Sequence, residues 1–151
     1  MADRIQVLAA FRSAGGEPTA RNHIAEARQR FGWRAHLDLM GECPVVGACF
    51  EWDPHGDWPC LFDWVSIQHA IERLGDDSER SWLLDRGLLP FGVEASGSGN
   101  LICSRHQPSS GEQIVEVFSD AIGVEGRAEE DLWRVLGTEP WGFFATLKER
   151  R

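Results

Sequence analysis

Hydrophobic and polar positions along this chain change period several times, and each change predicts an element. Ile5, Leu8, Ala9 and Arg12 fall at helical spacing with Val7 and Phe11 beside them, and Gly15-Gly16 and Pro18 end the segment, so a first helix is expected there. Thr19 is placed to cap a second helix with Ala20, Ile24, Ala27 and Phe31 on one face and Arg21, Arg28 and Arg30 on the other, ending near Gly32. From Val45 to Trp52 the run turns β-branched and aromatic and meets Asp53-Pro54-His55-Gly56-Asp57, a dense turn signal; this reads as strand, turn, then a short strand from Cys60 to Trp64.

Ser66 next offers an N-cap for a helix with Ile67, Ala70, Ile71 and Leu74 on its apolar stripe, closed by Gly75. Trp82-Leu83-Leu84 and Leu88-Leu89-Pro90-Phe91 lead to the polar loop 94–100, and a hairpin follows: a strand over 101–105, a connection through 107–111, and alternation at Ile114, Glu116 and Phe118. Ala128, Leu132, Val135 and Leu136 predict another helix closed by Gly137, and Thr138 is expected to cap a last one through Trp141, Phe144 and Leu147. Helices at both termini, one between strands, and hairpin-length connections predict a single α+β domain over 1–151 with a mainly antiparallel sheet.

Composition narrows what such a domain does. The chain has 151 residues, 24 Asp plus Glu and 15 Lys plus Arg, a net charge of -9. Nucleic-acid binding draws on cationic side chains, so this balance disfavours it. No apolar run is long enough to span a bilayer and the first residues lack the pattern of a signal peptide, so no membrane association and a cytoplasmic location are expected. The four cysteines, Cys43, Cys49, Cys60 and Cys103, lack paired metal-ligand spacing and read as thiols, Cys103 buried in its strand.

The charge is unevenly placed. Residues 1–50 sum to +1, residues 51–100 to -7 and residues 101–151 to -3. Seven Trp stand beside no Tyr, and Trp52, Trp58 and Trp64 bracket the acidic turn. Exposed Trp among acids is an anchor for a partner, whereas Trp133 and Trp141 read as helix residues packed in the core. The candidate partner-binding residues are therefore Glu51, Trp52, Asp53, Asp57, Trp58, Asp76, Asp77 and Glu79.

No catalytic set, cofactor site or metal site emerges. The Gly97-x-Gly99-Asn100 loop precedes a strand rather than a helix, with no Lys nearby, and reads as a turn requiring positive φ rather than a phosphate cradle. Asp53, His55 and Asp57 crowd one turn and make the rival reading, a small metal-dependent hydrolase, since carboxylates beside His can share an ion. A regulatory scaffold module with a merely solubilising acidic face is the third.

Four segments carry a family resemblance: Trp64-Val65-Ser66-Ile67-Gln68, Leu88-Leu89-Pro90-Phe91-Gly92, Gly97-Ser98-Gly99-Asn100-Leu101-Ile102-Cys103 and Gln113-Ile114-Val115-Glu116-Val117. Their order resembles the SUKH superfamily, which includes bacterial immunity proteins and fungal cell-wall-synthesis regulators. The central sixty or so residues carry it, whereas the usual Leu-Pro-x-x-Tyr helix before the first strand is matched only faintly at 11–16. The resemblance implies a non-catalytic α+β domain whose bacterial members bind and neutralise a toxin, often a nuclease or deaminase. An acidic middle third would suit a basic toxin surface, because complementary charge steers encounter.

Overall fold

The computed structural model describes residues 3–72, 77–107 and 111–151, with Asp77 described in its main chain only. Three helices come first, α1 (Arg4–Phe11), α2 (Arg21–Phe31) and α3 (Ala35–Glu42), followed by the hairpin β1 (Cys49–Trp52) and β2 (Cys60–Trp64). Helices α4 (Ile67–Glu72) and α5 (Asp77–Asp85) precede three long strands, β3 (Leu88–Glu94), β4 (Leu101–Gln107) and β5 (Gly111–Val117). The chain closes with β6 (Trp133–Gly137), α6 (Pro140–Thr146) and β7 (Lys148–Arg150). All seven strands join one antiparallel sheet in the order β6-β5-β4-β3-β2-β1-β7, so the expected α+β class holds. No helix among the described residues is long and apolar enough to cross a membrane.

The sheet is buried on both faces, because successive side chains of a strand point to opposite sides. Phe50, Phe62, Trp64, Phe91, Ile102 and Ile114 face the layer made by α1, α2, α3 and α6. Their rings pack edge to face and tilted, with Trp64 and Phe91 centroids 4.8 Å apart and Phe91 and Phe144 6.3 Å apart. The opposite face sets Leu101, Cys103, Val115 and Val117 against Trp82 and Leu83 of α5 and against Ala121 and Leu132. Strand β3 lies between both layers, so six of its seven residues are buried and no alternation shows. Pro90 is tolerated in this central strand because it adjoins the register shift between Pro90 and Gly92.

Several expectations need correction. The helix expected over 128–136 is instead a single 3-10 turn, Glu129–Asp131, followed by strand β6. Its apolar positions fit either period over so short a run, and pairing with the outer edge of β5 decided for strand. Trp133 consequently sits in a strand, buried on the α5 side. Thr19 does not cap α2, whose N-cap is Ala20 with no side-chain bond, and α6 is capped by Glu139 rather than Thr138, its carboxylate accepting from Trp141 N and Gly142 N. Val45 and Val46 precede the strand, and Val46 only bridges Glu17. On α1 the buried positions are Val7, Leu8 and Phe11, while Ile5 is exposed.

Helices α3 and α5 and strand β7 add to the expected elements, so two helices rather than one separate β2 from β3, and a strand ends the chain. The predicted cap of α4 is present, Ser66 Oγ accepting from His69 N at 3.0 Å; its expected end at Leu74-Gly75 lies outside the described residues. Cys43, Cys60 and Cys103 are buried and Cys49 half-buried, all as free thiols.

Candidate functional site

Strands β1 and β2 pair from Cys49 with Asp63 to Trp52 with Cys60, which projects the turn 53–59 beyond the sheet. The turn is ordered locally: Asp53 Oδ1 accepts from Gly56 N at 2.9 Å, as an Asx-type turn does. The sheet curls, so that this tip reaches the far edge strand β6. There Arg134 Nη1 donates to the Trp58 carbonyl at 2.8 Å.

Arg134 is the centre of the arrangement. Its Nε donates to Glu116 Oε1 at 2.8 Å, its Nη2 stands in ion-pair contact with the same oxygen at 2.8 Å, and the guanidinium lies 3.9 Å from the ring centroid of Trp58 and 5.3 Å from that of Trp52. Stacking of this kind suits the planar, weakly hydrated guanidinium. Glu116 is almost fully buried, and its other oxygen accepts from Asn100 Nδ2 at 2.9 Å. Asn100 Oδ1 in turn accepts from Ser119 N at 2.9 Å. A buried carboxylate is costly unless its lone pairs are met, and here both oxygens are met.

The loop 94–100 supports this group from below. Glu94 accepts from Ser96 Oγ at 2.7 Å, Ser98 Oγ at 2.6 Å and Ser96 N at 2.9 Å. Although partial burial works against ionisation, these donors hold the Glu94 carboxyl below its ordinary value. Gly97 and Gly99 both take positive φ, the conformation expected of them, and the amides of the loop close on Glu94 and Ser98. Cys60 lies on the same face, its thiol pushed up by burial and by the Glu116 carboxylate.

Trp58 is the unusual member. Its φ is +47°, the sole positive φ outside glycine among the described residues, and its side chain stays 64% exposed although one face rests on Arg134. A left-handed conformation costs a non-glycine residue about 1–2 kcal/mol, which the Arg134 bond and stack offset.

Among the described residues, the predicted partner-binding set falls in more than one place. Trp52, Asp53, Asp57 and Trp58 share the hairpin tip, with both acids exposed. Glu51 is near them but engages Arg150 of β7 at 3.2 Å, so its charge is met within the chain. Glu79 lies on α5, which packs on the opposite face of the sheet. Asp76 and the side chain of Asp77 lie outside the described residues. Trp64, grouped with the turn from its sequence position, is a fully buried core residue. Among the described residues no group of three or more His, Cys, Asp and Glu side chains is placed to share an ion, Asp53, His55 and Asp57 included.

Arg134, Glu116 and Asn100 were missed from sequence. One signal was visible: Glu116 interrupts strand β5 where both parities are otherwise apolar from Ile114 to Phe118, which implies a buried acid in need of a cation. Searches of family models, curated proteins and solved structures find no match to this chain.

Proposed function

We propose that the chain is a non-enzymatic protein-binding domain of immunity type, which neutralises a basic toxin, such as a nuclease, in the cytoplasm. The observation that carries this reading is Trp58, held in a left-handed conformation and exposed beside Asp53 and Asp57. An indole fixed by its own backbone and by Arg134 loses little freedom on docking, and rigid aromatics ringed by polar groups are what binding hot spots are made of. Exposed acids at its side favour a cationic partner and raise the rate of encounter.

The SUKH resemblance supports the same reading, since the Leu-Pro-Phe-Gly segment is β3, the Gly-Ser-Gly-Asn segment is the turn after it, and Leu101–Cys103 opens β4, its antiparallel neighbour. These motifs form one continuous unit that carries Asn100, a partner of Glu116.

Co-purification with the protein encoded by the neighbouring reading frame tests the proposal. Binding is expected for the wild type and should fall sharply in Asp53→Lys/Asp57→Lys, while Asp76→Lys/Asp77→Lys shows whether the 76–79 segment adds to it. If both charge-reversed proteins fold and bind as the wild type does, the acidic surface is not the docking site.

A further inference from the structure

Among the described residues, strand β6 ends the sheet, with β5 as its sole strand neighbour. Phe118 N donates to Leu132 O at 2.9 Å, and the register continues with Val117 opposite Trp133, Glu116 opposite Arg134 and Val115 opposite Val135. Bonded and non-bonded pairs alternate in an antiparallel ladder. The bonded pairs are therefore 118 with 132 and 116 with 134, and Trp133 and Val135 turn their N–H and C=O groups away from β5. Val135 itself is 46% exposed.

The other end of the sheet differs, since β7 is three residues long and all three are charged, a common device for blunting an edge. Strand β6 carries a single charge, Arg134, which is already engaged by Glu116 and the Trp58 carbonyl. At its C-terminal end lies a groove of about 290 Å³ between Trp52, Pro54 and His55 of the hairpin, the segment Leu136–Glu139 and α6. Glu130 and Asp131 are exposed just before the strand, and Asp53 and Asp57 on the hairpin that meets Arg134.

The geometry points to β6 as a strand-addition site for an extended, basic segment of the protein partner. Main-chain bonds to Trp133 and Val135 supply affinity in such recognition, and alternate side chains supply specificity. Charge selects the occupant. Two copies of this chain paired antiparallel about Val135 would set Asp131 of each opposite Glu139 of the other, whereas Arg or Lys on an incoming strand meets acids along the edge and across the groove. This inference rests on the binding role proposed above and names the chemistry of the partner's contacting segment.

Amide hydrogen exchange on the full chain tests it, with three synthetic probes at millimolar concentration: a peptide of alternating Arg and Val capped at both ends, its Glu and Val counterpart, and the Arg peptide N-methylated at alternate residues. The Arg peptide is expected to slow exchange at Val135 about tenfold or more while the other two do not. Val135→Pro, which removes an outward N–H and no bond to β5, should abolish the peptide's protection at the remaining outward amide, Trp133, and Val135→Lys, which keeps the backbone and adds a repelling charge, should abolish it at both Trp133 and Val135. Equal protection by the Glu peptide, no protection by the Arg peptide, or protection that rises with protein concentration alone would overturn the inference, the last in favour of a second copy. The two readings fail separately: a partner that binds Val135→Pro as tightly as wild type but not a Trp58 variant refutes the edge and leaves the hairpin surface standing.

Discussion

Strand β5 carries a glutamate near each end, Glu112 and Glu116, four residues apart and on the same face, and each lies beside an arginine. At the Glu116 end the arginine pairs with the carboxylate at 2.8 Å and is covered by Trp58, itself exposed in the same turn as the exposed Asp53 and Asp57. At the Glu112 end the arginine does not pair. Arg34 Nη1 instead donates to the carbonyls of Gly87 and Ser104 and to Ser104 Oγ at 2.9–3.0 Å, while Glu112 accepts from Ala35 N at the start of α3. Burial pushes the Glu112 carboxyl up to about 7, against the Ala35 amide and Arg34, with Asp38 and Glu139 adding to the rise. One end therefore presents an aromatic on a met ion pair, and the other uses the same residue types to fasten a helix to the sheet. Residue type alone does not separate an exposed aromatic on an ion pair from a structural latch; what faces solvent does.

The largest effect expected is at the Glu116 end. Arg134→Ala leaves a buried carboxylate with one partner and should cost about 3–5 kcal/mol of stability by denaturant unfolding, whereas Glu116→Gln with Arg134 retained should cost less. Equal losses would mean that the pair does not act through its charge.

The Glu112 end responds to pH instead. A carboxyl raised from its ordinary value of 4.5 binds protons in the native state that the unfolded chain has released, so the Glu112 contribution to stability is fully present below pH 4.5 and is lost as pH rises to about 7. His36 opposes this lower down. Burial, with Arg34 nearby, holds it at about 3, so its contribution to stability is lost as pH falls from 6.5 to 3. The two slopes overlap between pH 4.5 and 6.5, and a variant separates them: Glu112→Gln should gain about 1–3 kcal/mol on wild type between pH 4.5 and 7.5. A constant difference between the two proteins across that range would contradict the latch account.

A smaller effect is expected in the loop that supports Asn100. Glu94→Ala removes the acceptor for Ser96 and Ser98 and should cost about 1–2 kcal/mol by thermal unfolding, with faster amide exchange confined to 95–100. Exchange that rises throughout the sheet would show the loop to be part of the global core instead.

How much of this was legible in the sequence follows from the range of each interaction. The β1–β2 and β4–β5 hairpins, α2 and α4 announce themselves by turn residues, an apolar stripe or a cap within a few positions. Helix α3 does not, because Ala35 through Met40 are all buried, so no polar face alternates with an apolar one. Strand β6 read as a helix because Leu132, Val135 and Leu136 also fit helical spacing, and only the β5 edge selects between the two. The acidic turn and Trp58 were visible as candidates; Arg134, 76 residues further on, was not, because the contact exists only once the sheet curls. Charge alone grouped Glu79 with 51–58, whereas Glu79 stands on α5, which packs on the opposite face of the sheet.

Trp58→Gly puts the central claim to its most direct test. Glycine accepts the positive φ without strain, so stability should stay within about 1 kcal/mol of wild type while the exposed indole is lost. The account predicts that calorimetric titration against the neighbouring-frame protein then shows affinity lower by about thirtyfold or more, a hot-spot effect of about 2 kcal/mol. A Trp58→Gly protein that folds normally and binds that partner with wild-type affinity would contradict it.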